Sequence, residues 1–194
     1  FYINGFDVTN IRNFTSYAEL PFDAISQTQV KTGGYGVEYG RSLGGVVSIV
    51  TKRGTNEWKG GGAVYWQPEE LRSDGKNVLS REPDEPGVYY QFREKDTEGF
   101  LSYNIYGGGP IIKDKLFVYG LVEGRNDTTN DFGLNISSKE KSNRPNGLLK
   151  VDWIITDKHQ LEFTGITTKK EVKATDYTNA VPYSTSNDGA GRVS

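Results

Sequence analysis

The chain has 194 residues, a formal net charge of −2 and no cysteine. A charge this close to zero gives no general attraction to nucleic acid, and the lack of cysteine excludes disulfides, thiolate catalysis and cysteine-ligated zinc. No apolar run approaches the roughly 18–20 residues of a transmembrane helix, which leaves a membrane β-barrel open because barrel strands alternate in polarity. The 12 Tyr, 9 Phe and 24 Gly predict a β-rich protein. Since Met is absent and the chain starts within strand-like sequence, we expect an internal piece of a longer protein.

Up to Gly54, short segments predict a small α+β unit: two strands around a turn, one helical turn and two further strands. These elements are Phe1–Val8 with its turn at Asn4-Gly5, Leu20–Ile25, Gln27–Lys31 and Val46–Lys52.

After Gly54, the sequence predicts five strands, each with an aliphatic or aromatic face and a polar face. They are Trp58–Gln67, Phe100–Tyr106, Leu116–Arg125, Leu149–Ile155 and Gln160–Thr164. In the fourth strand, Leu149, Val151 and Trp153 share one face, and Lys150 and Asp152 share the other. Trp58, Trp66 and Trp153 are candidates for the aromatic girdles of a membrane barrel, with ordinary packing as the alternative.

The predicted connections between these strands alternate in length. Long polar segments are predicted at Pro68–Glu98, at Asn126–Asn143 and from about Lys173, whereas Lys113–Lys115 and Thr156–His159 are tight turns. Short turns at one end and long loops at the other are typical of an outer-membrane barrel, whose strands need roughly 9–11 residues to span the membrane. A soluble β-sandwich, with its apolar face packed on a core, is the alternative.

The segment GRSLGGVVSIVTKRGTNEWKG (Gly40–Gly60) resembles the end of the plug domain of TonB-dependent outer-membrane receptors, in their Oar-like branch. YINGFDVTN (Tyr2–Asn10) is similar to a ligand-facing plug strand. LLKVDWIITDKHQLEFTG (Leu148–Gly165) and GGGPIIKDKLFVYGLVEG (Gly107–Gly124) are similar to early barrel hairpins. Lys31-Thr32-Gly33-Gly34 stands where many siderophore receptors have an Arg-Gly-Pro-like sequence, so the resemblance names no siderophore or vitamin ligand.

The resemblance implies a partial, antiparallel membrane β-barrel with a small α+β plug portion, as a fragment of a plugged barrel of the 22-stranded type. Residues 1–55 would be the C-terminal part of the plug. Residues 56–194 would be the first five or so transmembrane strands with long extracellular loops.

The same resemblance implies energised transport of a large or poorly permeating substrate across the outer membrane of a Gram-negative bacterium, gated by plug movement. The energy would come from the TonB-ExbB-ExbD complex, acting on a region outside this sequence. An outer-membrane scaffold, or a barrel associated with export or secretion, is the second interpretation.

Candidate contacts between plug and barrel are charged residues. Glu38 and Arg41 flank the glycine-rich loop, and the hypothesis is that they pair with charges on the polar faces of the strands; simple solvation is the alternative. The partner candidates are Glu123, Arg125, Lys150, Asp152 and Glu162.

The Gly33–Gly45 run lacks both the G-x-G-x-x-G and the G-K-[ST] pattern of nucleotide loops. No paired carboxylates, nucleophile–base pair or metal cluster emerges, so we expect neither an enzyme nor a cofactor. The expected partner is outer-membrane lipid, without nucleic acid. The loop Pro68–Glu98 is a candidate contact for a ligand or a partner protein, and a merely solvated loop is the favoured alternative.

Overall fold

The computed structural model describes residues 1–12, 15–16, 18–34, 36, 39, 45–79, 87–132, 136–179 and 192–193. Within these ranges, the chain forms β-strands and two single-turn 3-10 helices, Phe22–Ala24 and Glu69–Leu71, and contains no α-helix. Among these residues, no helix combines the length and the hydropathy that crossing a membrane requires.

The strands of the described ranges are numbered in chain order. They are β1 (Tyr2–Ile3), β2 (Phe6–Asp7), β3 (Ile25–Lys31), β4 (Val46–Thr51), β5 (Lys59–Gln67), β6 (Val78–Leu79), β7 (Tyr89–Gln91), β8 (Thr97–Ile112), β9 (Leu116–Phe132), β10 (Ile136–Thr156), β11 (His159–Thr168), β12 (Glu171–Asn179) and β13 (Arg192–Val193).

The first four strands form a small sheet in the order β2-β1-β4-β3. β1 runs parallel to β4, with Tyr2 opposite Ser48, and the other two pairs are antiparallel. The β1–β2 turn places Asn4 at φ 48° and Gly5 at φ 85°, a region that Asn and Gly enter at low cost. The predicted strands before Gly54 are thereby confirmed. The predicted helical turn is the single 3-10 turn Phe22–Ala24, so the described part of this unit is a sheet without the α-helix of an α+β unit.

A larger sheet has the order β13-β12-β10-β9-β8-β5, with β11 also paired to β10. β10 pairs with β11 through Asn146–Thr156 and with β12 through Ile136–Asn143. Pro145 lies between these two paired segments, where its carbonyl accepts from the Lys169 N–H at 3.3 Å and its missing N–H leaves the ladder one donor short. The five predicted strands and the tight turns at Lys113–Lys115 and Thr156–His159 are confirmed.

Two of the predicted long loops are wrong. Asn126–Asn143 is mostly strand, since β9 continues to Phe132 and β10 starts at Ile136, and the region after Lys170 forms β12. Polar side chains on both faces hid these strands, because backbone hydrogen bonds to a neighbouring strand need no apolar side chain. β8, β9 and β10 have 16, 17 and 21 residues, longer than expected. Within Pro68–Glu98, the structure adds the β6–β7 hairpin to the predicted loop.

The chain divides into two compact units. Unit 1 comprises Phe1–Ala63, Asn104–Glu123 and Pro145–Lys169, and unit 2 comprises Val64–Tyr103, Gly124–Arg144 and Lys170–Ser194. Unit 1 contains the small sheet and a core cluster of Ala24, Tyr119, Leu121 and Leu148. In unit 2, Phe92 is buried and its ring lies 5.3 Å from that of Tyr89, which packs the β7 hairpin.

The large sheet has opposite polarity on its two faces. In unit 1, the inner face carries the buried residues Asn104, Tyr119, Leu121, Asn146, Leu148 and Lys150, and the outer face carries the exposed residues Ile105, Val122, Leu149, Trp153, Ile155, Leu161 and Phe163. In unit 2, Ser102 is buried between the exposed Leu101 and Tyr103. Burial of polar groups and exposure of a continuous apolar face reverse the arrangement of a soluble β-sandwich.

Candidate functional site: the inner face of the large sheet

The 3-10 turn Phe22–Ala24 joins the small sheet to the inner face. Ala24 is fully buried and packs against Tyr119, Leu121 and Leu148. Asn104 Nδ2 donates to Asp23 Oδ2 at 2.6 Å, and the Tyr119 hydroxyl donates to the Asp23 carbonyl at 3.1 Å. One short turn therefore provides both the apolar and the polar part of this contact.

Asn4 forms a second contact between the small sheet and the inner face. Its side-chain Nδ2 donates to Thr51 Oγ1 at 2.8 Å and to Thr164 Oγ1 at 3.2 Å, so it links β4 to β11. Its Oδ1 accepts from the backbone N–H of Thr51 at 2.9 Å. Asn4 combines a left-handed backbone with a side-chain amide that bonds to three groups, the Thr51 hydroxyl, the Thr164 hydroxyl and the Thr51 N–H. Asn meets both requirements at this turn.

A third contact lies where β4 ends. The backbone N–H of Lys52 donates to the Ala24 carbonyl at 2.8 Å, and its ammonium lies 5.1 Å from the centre of the Tyr106 ring. This separation is within the range of a cation–π interaction. Lys52 thus connects the last strand of the small sheet to both the 3-10 turn and β8.

Gly54 carries the chain from the small sheet to the large sheet. A Cβ at this position would lie 2.5 Å from the Val118 carbonyl oxygen and 2.9 Å from the Gly109 carbonyl oxygen. Both are backbone atoms that cannot rotate away, so only glycine fits. Asn56 then forms two reciprocal bonds with Asp114, donating from Nδ2 to Oδ1 at 2.6 Å and accepting from its N–H at 2.8 Å.

A cavity of about 420 Å³ lies beside this crossing. Its lining includes Arg53, Asn56, Asp152, Trp153 and Glu162.

Next to this cavity, the buried Lys150 ammonium forms an ion pair with Glu162. Lys150 is only 3% exposed, and its Nζ lies 2.8 Å from Glu162 Oε1. Asp152 Oδ2 is buried and accepts no hydrogen bond within the described part of the chain. The cavity wall therefore includes the half-exposed Glu162 carboxylate, which pairs with the buried Lys150 behind it, and the unsatisfied Asp152 oxygen.

The other two predicted charges lie further along the strands. Glu123 Oε2 accepts from Asn146 Nδ2 at 2.9 Å in unit 1. In unit 2, Arg125 Nε donates to Asp127 at 2.8 Å, and its guanidinium lies 4.4 Å from the centre of the Phe100 ring. Both side chains are thus held by neighbouring strand residues.

Of the seven predicted site residues, the structure brings together Lys150, Asp152 and Glu162, whereas Glu123 in unit 1 and Arg125 in unit 2 are held by other partners. Glu38 and Arg41 lie outside the described residues, so their pairing stays a prediction. Within the described ranges, no group of three or more His, Asp or Glu is placed to hold a metal ion.

Sequence reasoning missed the residues that make the contacts between the sheets: Asn4, Asp23, Gly54, Asn56, Asn104 and Tyr119. A sequence pattern singles out opposite charges, whereas these contacts are amide, hydroxyl and backbone hydrogen bonds and one close backbone approach. The signal for them in the sequence is the Asn-Gly turn at Asn4-Gly5.

The fold and this site define a β-rich chain whose small sheet is docked on the polar side of a larger, mostly antiparallel sheet. The TonB-dependent transporter Oar of Myxococcus xanthus is 31% identical to this chain over 100 residues, which are 52% of this chain and 9% of that protein. The chain therefore spans only a small part of this relative. No protein-family model matches the chain, and no solved structure matches it.

Proposed function

We propose that this chain is part of a TonB-dependent, Oar-like transporter of the outer membrane of a Gram-negative bacterium. Residues 1–55 are the C-terminal part of its plug, and residues 56–194 are the first five or so transmembrane strands of a plugged barrel. The transporter moves a large or poorly permeating substrate, with energy from TonB-ExbB-ExbD, and displacement of the plug opens the path.

The single observation that carries this proposal is the polarity of the large sheet. Leu149, Trp153 and Ile155 are exposed on one face, and Lys150 is buried on the other. The outward positions of β10 run from Gly147 to Ile155, about 26 Å of strand at 3.3 Å per residue step. At the tilt of 35–45° usual for such strands, this length gives a height of about 19–22 Å, most of an apolar band of about 25 Å.

Aromatic residues at one end of this band support the same proposal. Trp58 precedes β5, and Trp153 lies close to the Thr156–His159 turn, and both rings are exposed. Indole rings at the end of an apolar band are typical of a membrane–water interface.

Displacement of the plug is supported by the weakness of the contact between the two sheets. Within the described residues, the apolar part is formed by the small Ala24 side chain and the partly buried Leu20, and the polar part by the Lys52–Tyr106 cation–π contact and a few hydrogen bonds from Asn4, Asp23 and Tyr119. Each such bond contributes roughly 0.5–1.5 kcal/mol net. The small sheet can therefore separate from the inner face without unfolding the large sheet.

The test is energy-dependent exposure of Ala24 in the full-length receptor on cells. With Ala24→Cys, the thiol is buried at rest, and a membrane-impermeant maleimide reaches it only when the plug moves. We expect labelling in energised cells and its loss in cells without TonB or after treatment with a protonophore.

Asp74→Cys is the matched control, because Asp74 is exposed in unit 2 and labels under all conditions. Labelling of Ala24→Cys that is equal with and without TonB, while Asp74→Cys labels normally, rejects energised plug displacement. This readout requires no knowledge of the substrate.

A further inference from the structure

A second cavity lies entirely within unit 2 and has a volume of about 320 Å³. Three segments form it: the chain after the 3-10 turn Glu69–Leu71, the stretch from Arg93 into the start of β8, and the end of β9. Its lining residues are Arg72, Ser73, Gly75, Arg93, Asp96, Thr97, Glu98, Thr129 and Asp131.

Side-chain hydrogen bonds hold the first two segments together. Asn77 Oδ1 accepts from the backbone N–H groups of Arg93 at 2.8 Å and Glu94 at 3.0 Å, and Asn77 Nδ2 donates to Glu94 Oε2 at 2.8 Å. Gly75 lies so close to Arg93 that an added Cβ would be 2.8 Å from its carbonyl oxygen.

Hydrogen bonds also join the end of β9 to the second segment. Asp96 Oδ1 accepts from the Phe132 N–H at 2.7 Å, and Asn130 Nδ2 donates to Thr97 Oγ1 at 2.6 Å. With all three walls connected by hydrogen bonds, the cavity is formed before any ligand binds.

The charged side chains in this cavity are only partly paired with one another. Arg72 forms an ion pair with Glu98. Within the described ranges, the Arg93 guanidinium and the Asp131 carboxylate form no hydrogen bond or ion pair. A preformed cavity therefore contains one available cation and one available anion, with the Asp96 carboxylate beside them.

We propose that this cavity binds a short peptide through its two charged termini. Arg93 receives the terminal carboxylate, for which the guanidinium fork is suited. Asp131, together with Asp96, receives the ammonium group. The volume corresponds to about ten water molecules at roughly 30 Å³ each, enough for a di- or tripeptide.

Other ligand charges fit this lining less well. A purely anionic ligand meets the carboxylates of Asp96, Glu98 and Asp131, and a purely cationic ligand meets Arg72 and Arg93. An amphoteric ligand satisfies both unpaired side chains at once. The role of this site as the first capture site for a transported peptide rests on the proposed function; peptide binding itself does not.

The test is calorimetric titration of the purified full-length receptor with triglycine, N-acetyl-triglycine and triglycine amide. We expect triglycine to bind at least tenfold more tightly than either capped peptide. Arg93→Gln removes the discrimination against the amide, and Asp131→Asn removes the discrimination against the acetylated peptide. Lys76→Gln and Asp74→Asn each remove a charge of the same sign as the corresponding cavity variant, from the first cavity segment but at positions outside the cavity lining, and both retain wild-type affinity.

Any of three results overturns the proposal: equal affinity for free and capped peptides, no binding of triglycine, or wild-type binding by both Arg93→Gln and Asp131→Asn. Unchanged heat-dependent mobility on SDS gels establishes that each variant is folded. Energised labelling of Ala24→Cys is measured in parallel. If the receptor does not bind triglycine but Ala24→Cys is still labelled in energised cells, the peptide site is rejected and the proposed transport mechanism stands. If triglycine binds but energised labelling is absent, the transport mechanism is rejected and the peptide site stands.

Discussion

Replacement of Gly54 by alanine tests the junction between the two sheets. The new Cβ would lie 2.5 Å from the Val118 carbonyl oxygen, and 2.9 Å from both the Gly109 carbonyl oxygen and the Val118 nitrogen. All three neighbours are backbone atoms in paired strands, so the Arg53–Asn56 segment has to move away from β8 and β9. Overpacking of this kind costs typically 1–3 kcal/mol.

The matched control is Gly120→Ala in β9, where an added Cβ meets no atom within 4 Å. We expect this control to be neutral or slightly stabilising, because alanine has less conformational entropy to lose on folding than glycine.

The assay is urea unfolding of the full-length receptor in detergent, followed by the loss of its compact, heat-sensitive mobility on SDS gels. Gly54→Ala is expected to lower the free energy of unfolding by about 1–3 kcal/mol relative to Gly120→Ala. A displaced junction is also expected to increase entry of large antibiotics into cells. Coincident unfolding curves for the two variants would refute the assignment of Gly54 as a glycine required by close backbone approach.

Three further substitutions test separate parts of the structure. Phe163→Arg places a charge on the apolar outer face and is expected to cost about 2–4 kcal/mol in refolding into lipid vesicles; refolding equal to wild type contradicts a lipid-facing position. Tyr119→Phe removes the hydroxyl donor to the Asp23 carbonyl and is expected to lower stability by about 1 kcal/mol in urea, and an unchanged midpoint shows that this bond contributes nothing. Glu162→Gln removes the ion-pair partner of the buried Lys150 ammonium and, because Glu162 is itself half-exposed, is expected to cost about 1.5–3 kcal/mol; Lys150→Met in the same chain is expected to restore the stability, and no restoration would show that the loss does not come from the unpaired charge.

The alternation of side chains was sufficient to predict the faces of the strands. The sequence predicts Leu149, Val151 and Trp153 on one face and Lys150 and Asp152 on the other. The structure confirms this, because Leu149 and Trp153 are exposed whereas Lys150 is buried. A period of two residues is a property of the extended chain itself, so it can be recognised without any knowledge of the neighbouring strands.

The ends of the long strands could not be predicted in this way. Lys139, Glu140 and Lys141 suggested a solvated loop, yet they pair with Thr175, Ala174 and Lys173 of β12. The hydrogen bonds of that ladder come from the backbone, which every residue has, so the side chains do not reveal them.

The sequence by itself determined that this is a β-rich chain with a small mixed unit before Gly54 and five amphipathic strands after it, because turn residues and two-residue periodicity act locally. Only the tertiary structure decided which side of those strands is buried. Alternation defines two faces without saying which one meets solvent, and the answer came from the docking of Ala24 and Asp23 on the side of Asn104 and Lys150. That contact leaves the apolar side of the strands exposed, and the proposed membrane location depends on it.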